Sequence, residues 1–342
     1  TYVPFFAQAS DGVRIGQWDL AEARMKEIPF AVAPDDEQAA IVRFLDHADR
    51  HIRRYIRAKQ KLIKLLEEQK LAIVHQAVTK GLEPDVRMRD PGVEWLGEVP
   101  AHWDVRRTKS AAKLRSGHTP SRQHPEYWQD CTIPWFGLVD VWQIRDGQIE
   151  YVTDTNEKIS ELGLANSAAR LLPAGTVMLS RTASVGFSAI MGIDMATTQD
   201  FVNWVCGPSL LPEYLLCVFR AMQPEFRRLA MGSTHQTIYM PDVGKFLTPI
   251  PTIQEQSRIV ASILDRTGES GALVALVHKE IERAQEYRTV LISAVVTGKF
   301  DVREAAADPP AEPEEPELLD EAEVLDESDK EGGDAGSDDG SE

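Results

Sequence analysis

The sequence predicts an α+β protein, with one mixed domain built on a β-rich core and two long helices that pair as an antiparallel coiled coil. Three observations lead there. First, a helical segment occurs twice. Glu37-Gln38-Ala39-Ala40-Ile41-Val42 opens one copy and Glu255-Gln256-Ser257-Arg258-Ile259-Val260 the other; Ala77-Val78-Thr79 and Val295-Val296-Thr297 close them, at a constant offset of 218 positions. That offset is far beyond the roughly 20–50-residue period of solenoids, so the chain reads as helix, domain, helix. Second, both copies carry an apolar stripe at alternating steps of four and three, the pattern of a coiled-coil seam. Third, the segment between them holds Trp95, Trp103, Trp128, Trp135, Trp142 and Trp204 together with short apolar runs of strand character.

Taken in order, residues 1–33 read as the last pieces of a globular domain. The chain begins at Thr1 and enters the apolar residues Val3, Phe5 and Phe6 at once, so a fragment that has lost its natural start is expected. Pro34 with Asp35 and Asp36 marks a helix start, where carboxylates complement free backbone N–H groups. From there Ile41, Leu45, Ala48, Ile52, Tyr55, Leu62, Leu66 and Ile73 form the predicted seam, interrupted at Lys59 and Gln69. A continuous helix over 37–79 is about 64 Å long at 1.5 Å per residue. Gly81, Pro84, Pro91 and Gly92 end it, so residues 34–91 are helix and linker.

Residues 92–252 are long enough for an independent core. Thr132-Ile133-Pro134-Trp135-Phe136-Gly137, Thr176-Val177-Met178-Leu179-Ser180 and Phe201-Val202-Asn203-Trp204-Val205 read as strands, and 212–222 as a helix with Leu215, Leu216, Val218 and Phe219 on its apolar side. The second long helix occupies 253–302, with its seam at Ile259, Ile263, Leu273, Val277, Ile281, Ala284, Leu291 and Val295. Gly268 and Gly271 each cost about 1 kcal/mol relative to alanine, so fraying or a kink is expected there.

The net charge of −17 divides unevenly: residues 303–342 carry 17 acidic and 2 basic side chains, which leaves 1–302 nearly neutral. Such an acidic tail, poor in large apolar residues, is expected to be disordered and solubilising. No apolar stretch of about 18 residues and no basic-then-apolar leader is present, so nothing supports a membrane span. Cys131, Cys206 and Cys217 are odd in number and lack CxxC spacing, which points to buried thiols in a reducing cytoplasm.

Catalytic motifs are absent. There is no GxxxxGK[ST] phosphate loop and no HExxH pair. Pro241-Asp242 is followed by Val243-Gly244-Lys245, without the second acid a metal-dependent nuclease needs. Asp308-Pro309-Pro310 is followed by Ala311, where an amino-group DNA methyltransferase would stack an aromatic on the extruded base. His47 and His51 lie four apart, but among Arg50, Arg53 and Arg54, whose charge opposes a metal. No metal site is expected.

What remains are loops suited to binding. One carries Arg115, Ser116, His118, Thr119, Arg122 and Gln123; a second Arg181, Thr182 and Ser184; a third Thr234, His235 and Gln236. Arginine can bond both acceptors on the guanine major-groove edge, glutamine can bracket adenine, and hydroxyls suit phosphates.

Together these pieces resemble the specificity subunits of Type I restriction-modification systems. The resemblance rests on the duplicated Glu37-Gln38 and Glu255-Gln256 openings, on Val93-Glu94-Trp95-Leu96-Gly97-Glu98-Val99-Pro100-Ala101-His102-Trp103, on Ser116-Gly117-His118-Thr119-Pro120, and on Leu179-Ser180-Arg181-Thr182-Ala183-Ser184-Val185-Gly186. It covers nearly all of 1–302 and excludes the tail. It implies that 92–252 is the second of two target-recognition domains, that 1–33 is the remnant of the first, and that the helices form an antiparallel spacer. The resemblance further implies a non-catalytic chain that reads one half of a bipartite site in double-stranded DNA. Modification (methyltransferase) subunits would dock on the helices, and restriction motor-nuclease subunits would join them. S-adenosylmethionine, ATP and magnesium would be bound by those partners, and no cofactor by this chain. Removing residues 255–302 is then expected to abolish docking and leave the recognition domain folded. The competing reading is a helical adapter or regulatory protein with no DNA function.

Overall fold

The computed structural model describes residues 6, 11–14, 17–19, 21–28, 32–145, 147, 150–232 and 236–303. The acidic tail beyond 303, and Thr234 and His235 of the third loop, lie outside them. The chain divides into two compact units, one of residues 1–54 with 285–342 and one of residues 55–284. This partition differs from the sequence boundaries because it cuts through both long helices.

In the smaller unit, β1 (Asp11–Arg14) pairs antiparallel with β2 (Gln17–Asp19), and a short helix α1 (Glu22–Met25) follows. The first long helix, α2 (Asp35–Lys80), begins here with three acids in its first turn, as the helix dipole favours. The last long helix, α7 (Ile253–Val296), ends here. Ala40, Val295 and Val302 are buried together, with Ile41, Phe44, Leu45 and Leu291 packed around them. Asp49 bonds Arg288, whose guanidinium holds the carboxyl below its ordinary range.

The larger unit holds two short strands, β3 (Met88–Arg89) and β4 (Val99–Pro100), and then β5 (Asp104–Arg107) and β6 (Ala112–Ser116). Next come β7 (Ile133–Phe136), β8 (Tyr151–Val152), β9 (Glu157–Ile159), α3 (Glu161–Ala165), β10 (Val177–Ser180), β11 (Ser188–Met191), β12 (Ala196–Thr197) and β13 (Phe201–Cys206). The helices α4 (Pro212–Ala221), α5 (Gln223–Leu229) and α6 (Met240–Val243) precede β14 (Leu247–Ile250). A five-stranded sheet runs β6-β13-β10-β11-β8, antiparallel except for the parallel β11/β8 pair. A three-stranded sheet runs β12-β7-β9, parallel then antiparallel. β10 and β11 are buried at every position, which matches their continuous apolar or small-residue sequence.

The α4 stripe packs Tyr214, Leu215, Val218 and Phe219 into a core with Trp103, Trp204, Phe226 and Phe246. The core also takes in Val74, Ala77 and Val78 from the end of α2 and Ile259 and Ile263 from the start of α7. Deleting 255–302 would therefore remove core side chains, and the sequence expectation that the domain survives that truncation is corrected.

The helices pair antiparallel inside this unit as well. Ile63 packs with Val277 and Ile281, Lys59 Nζ lies 2.7 Å from Glu280, and residues 74–78 share the core with 259–263. The seam is not the heptad one throughout. Tyr55 (44% exposed) and Leu273 (41% exposed) face out; Ile63 and Val74, one residue after the predicted Leu62 and Ile73, are buried, while Ile56 and the predicted Leu62 are both half-buried against Ile63. A helix of 3.6 residues per turn drifts by about 20° per heptad from a seven-residue repeat, so burial spreads over two adjacent residues instead of staying at one heptad position. Ile52, Leu62, Leu66 and Ile73 are consequently only half-buried. On α7 the face runs through Gln256, Ile259, Ile263, Thr267, Val274, Val277 and Ile281, which keeps the predicted Ile259, Ile263, Val277 and Ile281 and adds the polar Gln256 and Thr267. The fraying expected at Gly268 and Gly271 is absent: α7 is unbroken, because burial of Ile263 and Val277 on either side outweighs two weak propensities.

Candidate nucleic-acid interface

Strand order decides which loops meet. β6 and β10 flank β13 antiparallel, pairing Ser116 with Val202 and Ser180 with Phe201, so the chain leaves β6 and β10 and enters β13 at one end of the sheet. The parallel pairing of Phe136 with Thr197 brings the end of β7 to the same place.

The frame is backbone and tightly fitted. Gly117 N donates to Phe201 O at 3.3 Å and His118 N to Thr197 O at 3.0 Å. A Cβ on Gly117 would stand 2.0 Å from the Thr198 carbonyl oxygen and 2.3 Å from Thr197 Oγ1, so a side chain there must push the loop away. Thr119 Oγ1 donates to Gln199 Oε1 at 2.6 Å. Arg181 N donates to Asp200 O at 2.8 Å, and its guanidinium donates to Gln199 O at 3.1 Å and Ile238 O at 3.4 Å. Ala183 N donates to Gln236 O at 2.9 Å, and Thr182 bridges Thr237. Ala183 holds φ +59°, a left-handed conformation costing about 1–3 kcal/mol that the two neighbouring strands impose.

Of the sequence-predicted residues, Ser116, His118, Thr119, Arg181, Thr182, Ser184 and Gln236 are thus gathered around one end of the sheet. Arg115 stands exposed on the edge strand β6, its Nη1 on the Leu114 carbonyl at 3.2 Å. Arg122 is placed otherwise. Its guanidinium lies 4.0 Å over the Trp128 ring and bonds Glu157 at 3.0 Å, so it is already engaged, with Gln123 following it. Gln199 and Asp200 were missed, although the polar run Thr197-Thr198-Gln199-Asp200 has the composition of the loops that were chosen. Gln199 is the hub, touching both Thr119 and Arg181.

Lys113 and Arg115 are exposed on one face of β6, Arg115 next to this end, whereas the exposed Arg107 and Lys109 precede β6 at the far end of the sheet. Among the described residues no group of three His, Cys, Asp or Glu could hold a metal, and no helix is long and apolar enough to cross a membrane. Burial pushes the Cys206 and Cys217 thiols up to about 12, away from thiolate chemistry.

The family model described as "Type I restriction modification DNA specificity domain" matches residues 100–283. The Type I restriction enzyme MjaIX specificity subunit of Methanocaldococcus jannaschii is 28% identical over 166 residues, 48% of this chain and 38% of that protein. The EcoR124I/EcoR124II specificity subunit of Escherichia coli is 26% identical over 215 residues, 59% of this chain and 48% of that protein. The chain spans less than half the length of these curated relatives. A chain from a solved structure concerning complex assembly and conformational transition of the type I R-M system aligns with TM-score 0.58 at 18% identity, over 79% of this chain and 61% of that one. At that identity the likeness speaks for the fold alone.

Proposed function

Since this chain belongs to the Type I restriction modification DNA specificity domain family, we propose that it is a non-catalytic subunit that reads one half of a bipartite site in double-stranded DNA. The observation that carries this reading is the convergence of the loops after β6 and β10 on Gln199, with Gln236 bonded to the second of them, at one end of the five-stranded sheet. A reader of base edges needs donors and acceptors held in fixed register, and a backbone-bonded frame supplies that. Arg181, Thr119, Gln199 and Gln236 face base edges, while Lys113 and Arg115 on the edge strand meet phosphates. Residues 92–252 form the recognition domain, and α2 and α7 set the spacing to a second reader.

Exposed leucines on the paired helices, Leu65, Leu71, Leu264 and Leu276, offer the surface on which modification subunits dock. Methyl transfer with S-adenosylmethionine, and ATP- and magnesium-dependent translocation and cleavage, belong to the partner subunits. The work is done on cytoplasmic DNA.

The test is selection of duplexes from a random library by the chain assembled with its modification subunit. A defined half-site is the expected product, with affinity falling steeply with salt as counterions are released. Gly117→Ala should lose the selectivity while Arg122→Ala keeps most of it. Equal affinity for every duplex would overturn the reading.

A further inference from the structure

A short helical turn follows β7 directly. Residues Leu138–Gln143 form a short 3-10 helix in which Leu138 (37%), Val139 (58%) and Trp142 (66%) are exposed. With about three residues per turn, Val139 and Trp142 lie one above the other on one face. Val141 and Ile144, on the opposite face, are buried in the core with Phe136 and Phe201.

The turn is held in place by a buried carboxylate. Asp140 is 0% exposed; its Oδ2 accepts from Gly137 N at 2.9 Å and its Oδ1 from Asn156 N at 2.7 Å. Gln143 Nε2 adds a third bond to it at 3.4 Å. A tryptophan displayed to solvent on so firmly anchored a turn is placed for contact.

Its position names the contact. Thr198 N donates to Phe136 O at 3.0 Å, and a Cβ on Gly137 would lie 3.3 Å from Thr198 Cγ2. The turn therefore starts beside the Thr197–Asp200 run, whose Gln199 joins Thr119 to Arg181. An apolar surface that starts two residues after Gly137, itself against Thr198, fits one apolar group on the major-groove edge, the thymine methyl.

We propose that Val139 and Trp142 are specificity residues that read thymine methyl groups in the target half-site. This rests on the DNA-reading function, and its failure is separable from failure of that function. The experiment uses the selected duplex with each thymine replaced in turn by uracil, which lacks only the methyl. Wild type should lose about fourfold in affinity at one or two positions, the worth of one buried methyl. Val139→Ser and Trp142→Ala, both at exposed positions, should abolish that thymine preference there while retaining selectivity elsewhere and an unchanged thermal melt.

If wild type selects a half-site but is indifferent to uracil throughout, the proposal is overturned and DNA reading stands. Variants that keep the thymine preference overturn it, as do variants that weaken all duplexes equally. Variants that keep it but no longer co-purify with the modification subunit assign the turn to a protein contact, which also overturns it. Selection of no half-site by wild type would instead remove the DNA-reading premise.

Discussion

The openings of α2 and α7 are one sequence in two surroundings. In both, a glutamine side chain turns back five residues along the chain: Gln38 Nε2 donates to Ala33 O at 2.6 Å and Gln256 Nε2 to Pro251 O at 2.9 Å. The first helical bonds match too, Gln38 N to Pro34 O and Gln256 N to Thr252 O. Burial differs. Gln256 is fully buried and bonds Leu211 N at 2.8 Å and Ser209 O at 2.9 Å, whereas Gln38 is exposed. The ends of the copies reverse the contrast. Thr79 Oγ1 and Thr297 Oγ1 each donate four residues back at 2.7 Å, yet Thr79 is buried and Thr297 exposed. The repeat therefore encodes a helix with a defined start and stop, and each copy lends a different end to the core of the larger unit.

The largest effect expected from this contrast is in the apolar pair. Ile259→Ala should cost about 2–5 kcal/mol in urea unfolding followed by the fluorescence of the buried Trp103 and Trp204, because it empties a fully buried site. Ile41→Ala, at a half-buried site, should cost well under half as much. Equal losses would break the contrast. Next comes the glutamine pair. Gln256→Ala strands a buried amide and two carbonyls and should cost about 2–3 kcal/mol, while Gln38→Ala should fall within about 0.5 kcal/mol of wild type.

The smallest effect is electrostatic and sharpens the comparison of the units. Arg288 holds the Asp49 carboxyl below its ordinary 3.8, so the pair stabilises the fold above that pH and loses its contribution as the pH falls toward the folded value. Asp49→Asn should therefore flatten the acid limb of a circular-dichroism titration below about pH 4. An unchanged limb would remove the pair from the stability of the small unit.

Much of the fold was legible. Strands Ile133–Phe136, Val177–Ser180 and Phe201–Cys206 and the helix Pro212–Ala221 fall where apolar runs and stripes placed them, because burial demands those patterns wherever the element lands. The seam of α7 was legible along its length, at Ile259, Ile263, Val277, Ile281 and Val295, and missed only at Leu273. On α2 a heptad count named the half-buried Leu62 and Ile73, while burial falls on the next residues, Ile63 and Val74. Of the site, the loops could be named from hydroxyls, amides and arginines, but residue type does not say whether a group is free. Arg122 and Arg181 look alike in sequence, yet one is stacked on Trp128 beside Glu157 and the other is bonded to the Gln199 and Ile238 carbonyls at the end of the sheet.

By itself the sequence determined what is local or periodic: two matched helices with their starts and stops, a β-rich domain between them, and the polar loops within it. The tertiary structure decided what depends on neighbours distant along the chain. Strand order brought Thr119, Gln199 and Arg181 together, and packing buried Gln256 while Gln38 stayed exposed. The reason is physical. A helix start is fixed by hydrogen bonds within about five residues, whereas burial and pairing are set by surfaces that meet only once the sheet has formed.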